Sequence, residues 1–97
     1  MEERYRLITS TLFNAIGCRV KVEQMIPTGR IDMVVETTNI IYVLELKLSN
    51  NGGLYAAEKQ IKTNQYTEPF KADKRRVIAL AVELDDKGKG LVDWKEV

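Results

Sequence analysis

Histidine is absent from this 97-residue chain, and that absence removes a large part of enzyme chemistry. There can be no serine–histidine triad, no imidazole general base and no histidine metal ligand. Cys18 is the single cysteine, so an internal disulfide is excluded and zinc would lack its usual sulfur and nitrogen ligands. A lone cysteine of this kind is expected to act as a small buried hydrophobe in a reducing compartment. No apolar run approaches the roughly 18 residues that a membrane span needs. The opening residues Met1-Glu2-Glu3-Arg4 are charged, so no secretory signal is visible. Together these absences point to a cytoplasmic protein with no membrane partner. The chain also lacks a strong charge balance: its formal net charge is +1, so bulk charge does not announce a nucleic-acid partner.

What remains is a composition ordinary for one soluble domain over residues 1–97, near the small end of what can bury its own core. Its catalytic resources are carboxylates and lysine, which suit a hard cation such as Mg²⁺ or Mn²⁺ with oxygen ligands. Basic residues are locally concentrated at Lys71, Lys74, Arg75 and Arg76, with Lys59 and Lys62 one helical turn apart upstream. That cluster is either a solvated face or a basic rim that contacts phosphates.

Hydrophobic periodicity divides the chain into elements. Tyr5, Ile8, Leu12, Ala15 and Ile16 form one apolar stripe, predicting a helix over 2–16 that ends at Gly17. Alternation over 19–23 predicts a half-exposed strand, and Pro27-Thr28-Gly29 a turn. Strands follow over 31–36 and 40–48, both rich in Ile, Val, Leu and Tyr. After the Asn50-Asn51-Gly52-Gly53 break, helical spacing of Leu54, Ala57 and Ile61 runs to about Tyr66, and Pro69 closes that segment. The apolar run 77–82 predicts a strand buried on both faces, and 91–94 a short edge strand. The order suits an antiparallel meander of three strands followed by a right-handed helical crossover to a parallel strand.

Side chains alternate faces along a strand. Glu45 and Lys47 therefore share a face, as do Asp32 and Val34 on the preceding strand. With Thr38-Asn39 as the two loop residues of a tight hairpin, Val34 falls opposite Val43 and Asp32 opposite Glu45. Two carboxylates opposed at roughly 5 Å repel each other unless something offsets them. A bridging divalent cation would do so, with Lys47 adding positive charge. The other reading is a solvated row of alternating charges on a wet sheet face. Asp73, Asp85, Asp86 and Glu96 fall in loops or at the terminus, and Glu36, beside the turn, is expected to be solvated.

These residues resemble the PD-(D/E)XK nuclease superfamily. The resemblance rests on Gly29-Arg30-Ile31-Asp32, the strand Val43-Leu44-Glu45-Leu46-Lys47-Leu48, the helix Ala57-Glu58-Lys59-Gln60-Ile61-Lys62 with Tyr66, and Phe70-Lys71-Ala72-Asp73 with Val92-Asp93-Trp94. It is nearest to a branch that often lies C-terminal to an AAA-ATPase-like domain. The Pro-Asp dipeptide of the superfamily's name is absent, Ile31 preceding Asp32. The resemblance implies a restriction-endonuclease-like αβββαβ core and metal-dependent hydrolysis of phosphodiesters, in DNA more than in RNA. It also implies that Asp32, Glu45 and the Leu46 carbonyl ligate Mg²⁺ or Mn²⁺, with Glu2 (or Glu3) from the first helix completing the shell. Lys47 would position the attacking water, and Gln60 would orient the substrate or the lysine. Nucleases that cut both strands commonly pair, which suggests a homodimer. The alternative is a catalytically silent module that keeps the fold and binds nucleic acid through the basic residues.

Overall fold

A computed structural model describes residues 18–87 and 90–97. The helix expected over 2–16, and with it Glu2 and Glu3, lies outside the described residues. The described chain runs β1 (Arg19–Ile26), β2 (Gly29–Glu36), β3 (Ile40–Leu48), helix α1 (Gly53–Thr63), β4 (Arg76–Leu84) and β5 (Leu91–Glu96), with short 3₁₀ turns at Ser49–Asn51 and Glu68–Phe70. The five strands form one mixed sheet in sequence order. β1–β2, β2–β3 and β4–β5 pair antiparallel, and β3–β4 pair parallel. This is the meander and single parallel crossover expected from the sequence, with α1 as the crossover helix.

The β2–β3 hairpin has the anticipated register, Val34 opposite Val43. Thr37 fixes it. Its backbone N–H donates to the Ile40 carbonyl at 2.8 Å, and its hydroxyl oxygen accepts the Ile40 N–H at 2.9 Å. The hydroxyl therefore does the work that an Asn-Gly turn usually does through backbone alone.

The sheet has an apolar layer on each side. On the α1 side Val34, Ile41, Val43, Ala79 and Ala81 pack with Ala57, Ile61 and Tyr66. On the other, Met33, Val35, Leu46, Val82 and Leu84 pack with part-buried Cys18, Val20, Tyr42 and Leu80. Two facing layers explain why 77–82 reads as an unbroken apolar run: its even and odd positions are both used.

Helix α1 starts abruptly at Gly53, capped by Gly52, and their φ values of 55° and 94° favour glycine. A Cβ on Gly53 would also come within 2.7 Å of the Glu83 carboxylate. That carboxylate accepts the Leu54 N–H at 3.0 Å and the Ser49 hydroxyl at 2.6 Å, pinning the helix start to β4. The helix ends at Thr63, three residues earlier than its apolar spacing suggested. Gln65 takes a left-handed φ of 49°, and the Tyr66 N–H turns back to the Ile61 carbonyl at 3.2 Å. Tyr66 is thereby released from the helical face and directed into the sheet layer. Among the described residues no helix is long and apolar enough to cross a membrane.

Candidate active site

Regular pairing fails at Asp32. The β2–β3 ladder runs from Glu36↔Ile41 to Met33↔Leu44 and stops there. One step further, where Asp32 would face Glu45, the Asp32 carboxylate enters the seam and accepts the Leu46 N–H at 2.9 Å. On the other flank, Val22↔Met33 and Gln24↔Ile31 pair, but Glu23 between them leaves the ladder with a φ of 53°. A non-glycine residue at such a φ is strained backbone, and strain of this kind gathers where a structure is shaped for a ligand. The strand faces shift here too. Ile31 packs in the α1-side layer with Val34, although alternation from Met33 and Val35 would place it opposite.

The seam holds two buried acids, Asp32 at 4% and Glu45 at 2% exposure. The Lys47 ammonium stands 3.5 Å from Glu45 Oε2, and the Arg30 guanidinium 3.9 Å from Asp32 Oδ1. Arg30 is shared, lying 3.5 Å from Glu23 as well. Burial pushes the Glu45 carboxyl up to about 7. The Tyr66 hydrogen bond and the Lys47 charge pull the other way, while the neighbouring Asp32 carboxylate adds to the rise. Two buried carboxylates brought together in a dry seam offer oxygen ligands of the kind a divalent cation takes. Within a strand the N–H and C=O of one residue point to the same side. The bond from Leu46 N–H to Asp32 therefore directs the Leu46 carbonyl toward the same seam. Among the described residues no third carboxylate joins the pair, so the donor set here is two carboxylates and a carbonyl.

Tyr66 orients Glu45. Its hydroxyl lies 2.7 Å from Glu45 Oε1 and 2.8 Å from the Arg30 carbonyl, and it accepts from Gln60 Nε2 at 2.8 Å. A hydroxyl has one proton. With Glu45 ionised, that proton goes to the carboxylate. With Glu45 protonated, the carboxyl can donate to Tyr66 and Tyr66 to the Arg30 carbonyl. Burial and the Glu45 charge hold the phenol well above its ordinary range, so it stays a neutral donor. Gln60, expected to orient the substrate or the lysine, instead reaches the site through Tyr66.

Asp32, Glu45, Lys47, Leu46 and Gln60 thus converge. The basic residues at the turn end do not converge with them. Arg76 pairs with Ile40 at the opposite end of β3 from Lys47, seven residues or ~23 Å along the strand. Arg75 is engaged locally, donating to Asp73 and Glu36 at 2.8 Å each and to the Thr37 carbonyl at 3.2 Å. Glu36 is correspondingly not solvated: its side chain is 13% exposed, 2.8 Å from Arg75 and 3.6 Å from Lys21. Lys71 pairs with Glu68, Arg76 with Glu96 and Lys62 with Glu58. Lys59 and Lys74 are exposed.

Two contributors were not assigned a role from sequence. Arg30 entered only as part of a motif, and Tyr66 as a likeness in the second helix. The usable signal for Tyr66 is physical: a tyrosine at the edge of an apolar layer must find a partner for its hydroxyl. The sequence profile of the PD-(D/E)XK nuclease superfamily matches residues 1–94. No curated protein matches the chain.

Proposed function

The chain belongs to the PD-(D/E)XK nuclease superfamily, and from that membership and the seam geometry we propose that it is a metal-dependent nuclease hydrolysing phosphodiester bonds, in DNA rather than RNA. The observation that carries this is the meeting of the Asp32 and Glu45 carboxylates where the β2–β3 ladder opens, with Lys47 beside them. Asp32, Glu45 and the Leu46 carbonyl would hold Mg²⁺ or Mn²⁺. When bound, such an ion polarises a phosphoryl oxygen and acidifies a coordinated water.

The remaining roles fall to the chain itself. Asp32 is fixed by the Leu46 N–H and Glu45 by Tyr66, so both carboxylates are oriented before any ligand arrives. Orientation in advance means that little is lost in ordering them when substrate binds. Lys47 is partly exposed, 26%, with its ammonium free to turn from Glu45 toward a scissile phosphate. There it orients the attacking water and offsets the charge that builds on the phosphoryl oxygens. Glu45 must give up its proton to serve as a ligand, so cation binding near neutral pH releases protons to solvent. A silent module would gain nothing from two carboxylates buried side by side, since burying such charges is costly.

Incubation of plasmid and single-stranded DNA with Mg²⁺ or Mn²⁺ tests the proposal. The wild type should cut, chelation should stop it, and Glu45→Ala and Lys47→Ala should both fail. Equal cleavage by wild type and both variants would assign the activity to something other than this site.

A further inference from the structure

We propose that the outer edge of β5, on which no other described strand pairs, is a self-pairing surface, to which a second copy of this chain adds its own β5 antiparallel about a two-fold axis at Trp94. All six residues of β5 are exposed. Three of them are large and apolar: Leu91 at 61%, Val92 at 52% and Trp94 at 59%. Edge strands are ordinarily blunted against pairing, and large apolar side chains left on one mark a place where a partner adds.

The backbone decides which groups a partner would meet. The Val97 N–H donates to the Ala79 carbonyl at 2.9 Å, so positions 93, 95 and 97 turn their backbone groups toward β4. Positions 94 and 96 turn theirs outward. The outward Trp94 N–H takes the carboxylate of Asp93 at 2.8 Å in place of a neighbouring strand.

The side chains then select one register. With Trp94 opposite Trp94 of the second copy, outward groups meet outward groups and Asp93 faces Lys95 twice. A shift of two residues one way opposes Asp93 to Asp93, and the other way opposes Lys95 to Lys95. Like charges directly opposed are unfavourable and opposite charges favourable. Shifts of a single residue set outward groups against inward ones and break the ladder. One register therefore satisfies backbone and charge together. Lys95 already holds Glu58 at 2.5 Å, so Asp93 of the second copy would extend an existing ion pair on the α1 side.

The same register bears on the active site. Leu46, Val82 and Trp94 stand level across the sheet, and an antiparallel pair keeps both sheets facing the same way. The two Asp32–Glu45 seams would lie level on one side of a ten-stranded sheet, ~29 Å apart before twist, counting six strand spacings of about 4.8 Å.

A six-residue edge buries less than a standard interface, so dissociation in the micromolar range is expected. The test is sedimentation equilibrium of the full chain from about 10 to 500 μM, without metal or nucleic acid, so its outcome is independent of the nuclease proposal. Wild type should pass from monomer to dimer. The emission of Trp94, the single tryptophan, should move to shorter wavelength over the same range. Asp93→Lys and Lys95→Asp should each stay monomeric while retaining the wild-type circular dichroism. Their equimolar mixture should dimerise, because only the mixed pair restores both opposite-charge contacts. A wild type that is monomeric throughout, variants that dimerise as well as wild type, or a mixture that stays monomeric would each overturn the proposal.

Discussion

The β2–β3 hairpin carries an acid group near each of its ends, half-buried at the turn and buried at the open end, and the two are handled in opposite ways. At the turn, Glu36 meets Arg75 at 2.8 Å and Lys21 at 3.6 Å, with Asp73 holding the other side of Arg75. Although burial opposes it, these cations keep the Glu36 carboxyl below its usual value. At the open end, Glu45 has an ammonium at 3.5 Å, a phenol and a second carboxylate, and burial pushes it up to about 7. One end is a closed set of charges that fastens a turn. The other is a pair of carboxylates buried together, arranged around a seam. Charge density alone does not separate them, since the turn end has more basic residues. What separates them is the glutamate itself: at the turn its cations hold it ionised, and in the seam burial pushes it toward the protonated form.

Breaking each end in turn gives the largest contrast. Lys47→Ala should reduce metal-dependent cleavage by about 10²–10³-fold, the scale for losing one charge-stabilising group, with little change in melting temperature. Arg75→Ala should do the reverse, leaving cleavage within about threefold, the range of a change remote from chemistry, while lowering the melting temperature by several degrees. Single-turnover kinetics and thermal melts on the two variants separate the cases. If Arg75→Ala also abolished cleavage, the two ends would not be functionally distinct.

Tyr66→Phe sharpens the contrast within the site. The ring still fills the core, but Glu45 loses the hydrogen bond that favours its ionised form. Cleavage should fall about tenfold, equivalent to ~1.4 kcal/mol. The acidic limb of the pH–rate profile should move upward, because a Glu45 carboxyl with fewer stabilising contacts releases its proton later. A uniform loss at every pH would reduce Tyr66 to packing alone.

The two ends also give opposite slopes of stability against pH in metal-free protein. Glu45 releases its proton near 4.5 when unfolded and near 7 when folded. Unfolding therefore releases a proton in that window, and stability falls as pH rises from about 4.5 to 7, by a few kcal/mol at most. Glu36 and Asp73 have depressed folded values, Asp73 at about 2. Their contribution is present above pH 4–4.5 and is lost as pH drops through the depressed values. Chemical denaturation in EDTA at pH 5 and pH 7.5 should show the first slope in wild type and not in Glu45→Gln. The smallest effect belongs to the exposed basic residues at the turn end. Lys74→Ala with Arg76→Ala should weaken DNA binding less than about threefold at 150 mM salt, as distant phosphate contacts do. A larger loss would extend the nucleic-acid surface to that end.

Much of this contrast was legible in the residues. Counting back from Thr38-Asn39 gave the β2–β3 register and put Asp32, Glu45 and Lys47 together, because side-chain period and hairpin length fix both. The apolar run of β4 announced its parallel, doubly covered position. Three things were not legible. That Asp32 takes the Leu46 N–H is a side chain competing with a ladder, which alternation does not encode. The stop of α1 at Thr63 depends on Gln65 adopting a left-handed φ where glycine would have signalled it. The engagement of Arg75 joins residues up to 39 positions apart, so a count of local charge misread both it and Glu36.

The central claim is that the seam between β2 and β3 takes a divalent cation through Asp32 and Glu45. Calorimetric titration of Mn²⁺ at pH 6.5, in two buffers of different ionisation enthalpy, measures affinity and proton release together. Saturable binding by wild type with net proton release, lost in Asp32→Asn and in Glu45→Gln, is the result predicted. Identical weak heats for wild type and both variants, with no protons released, would contradict it.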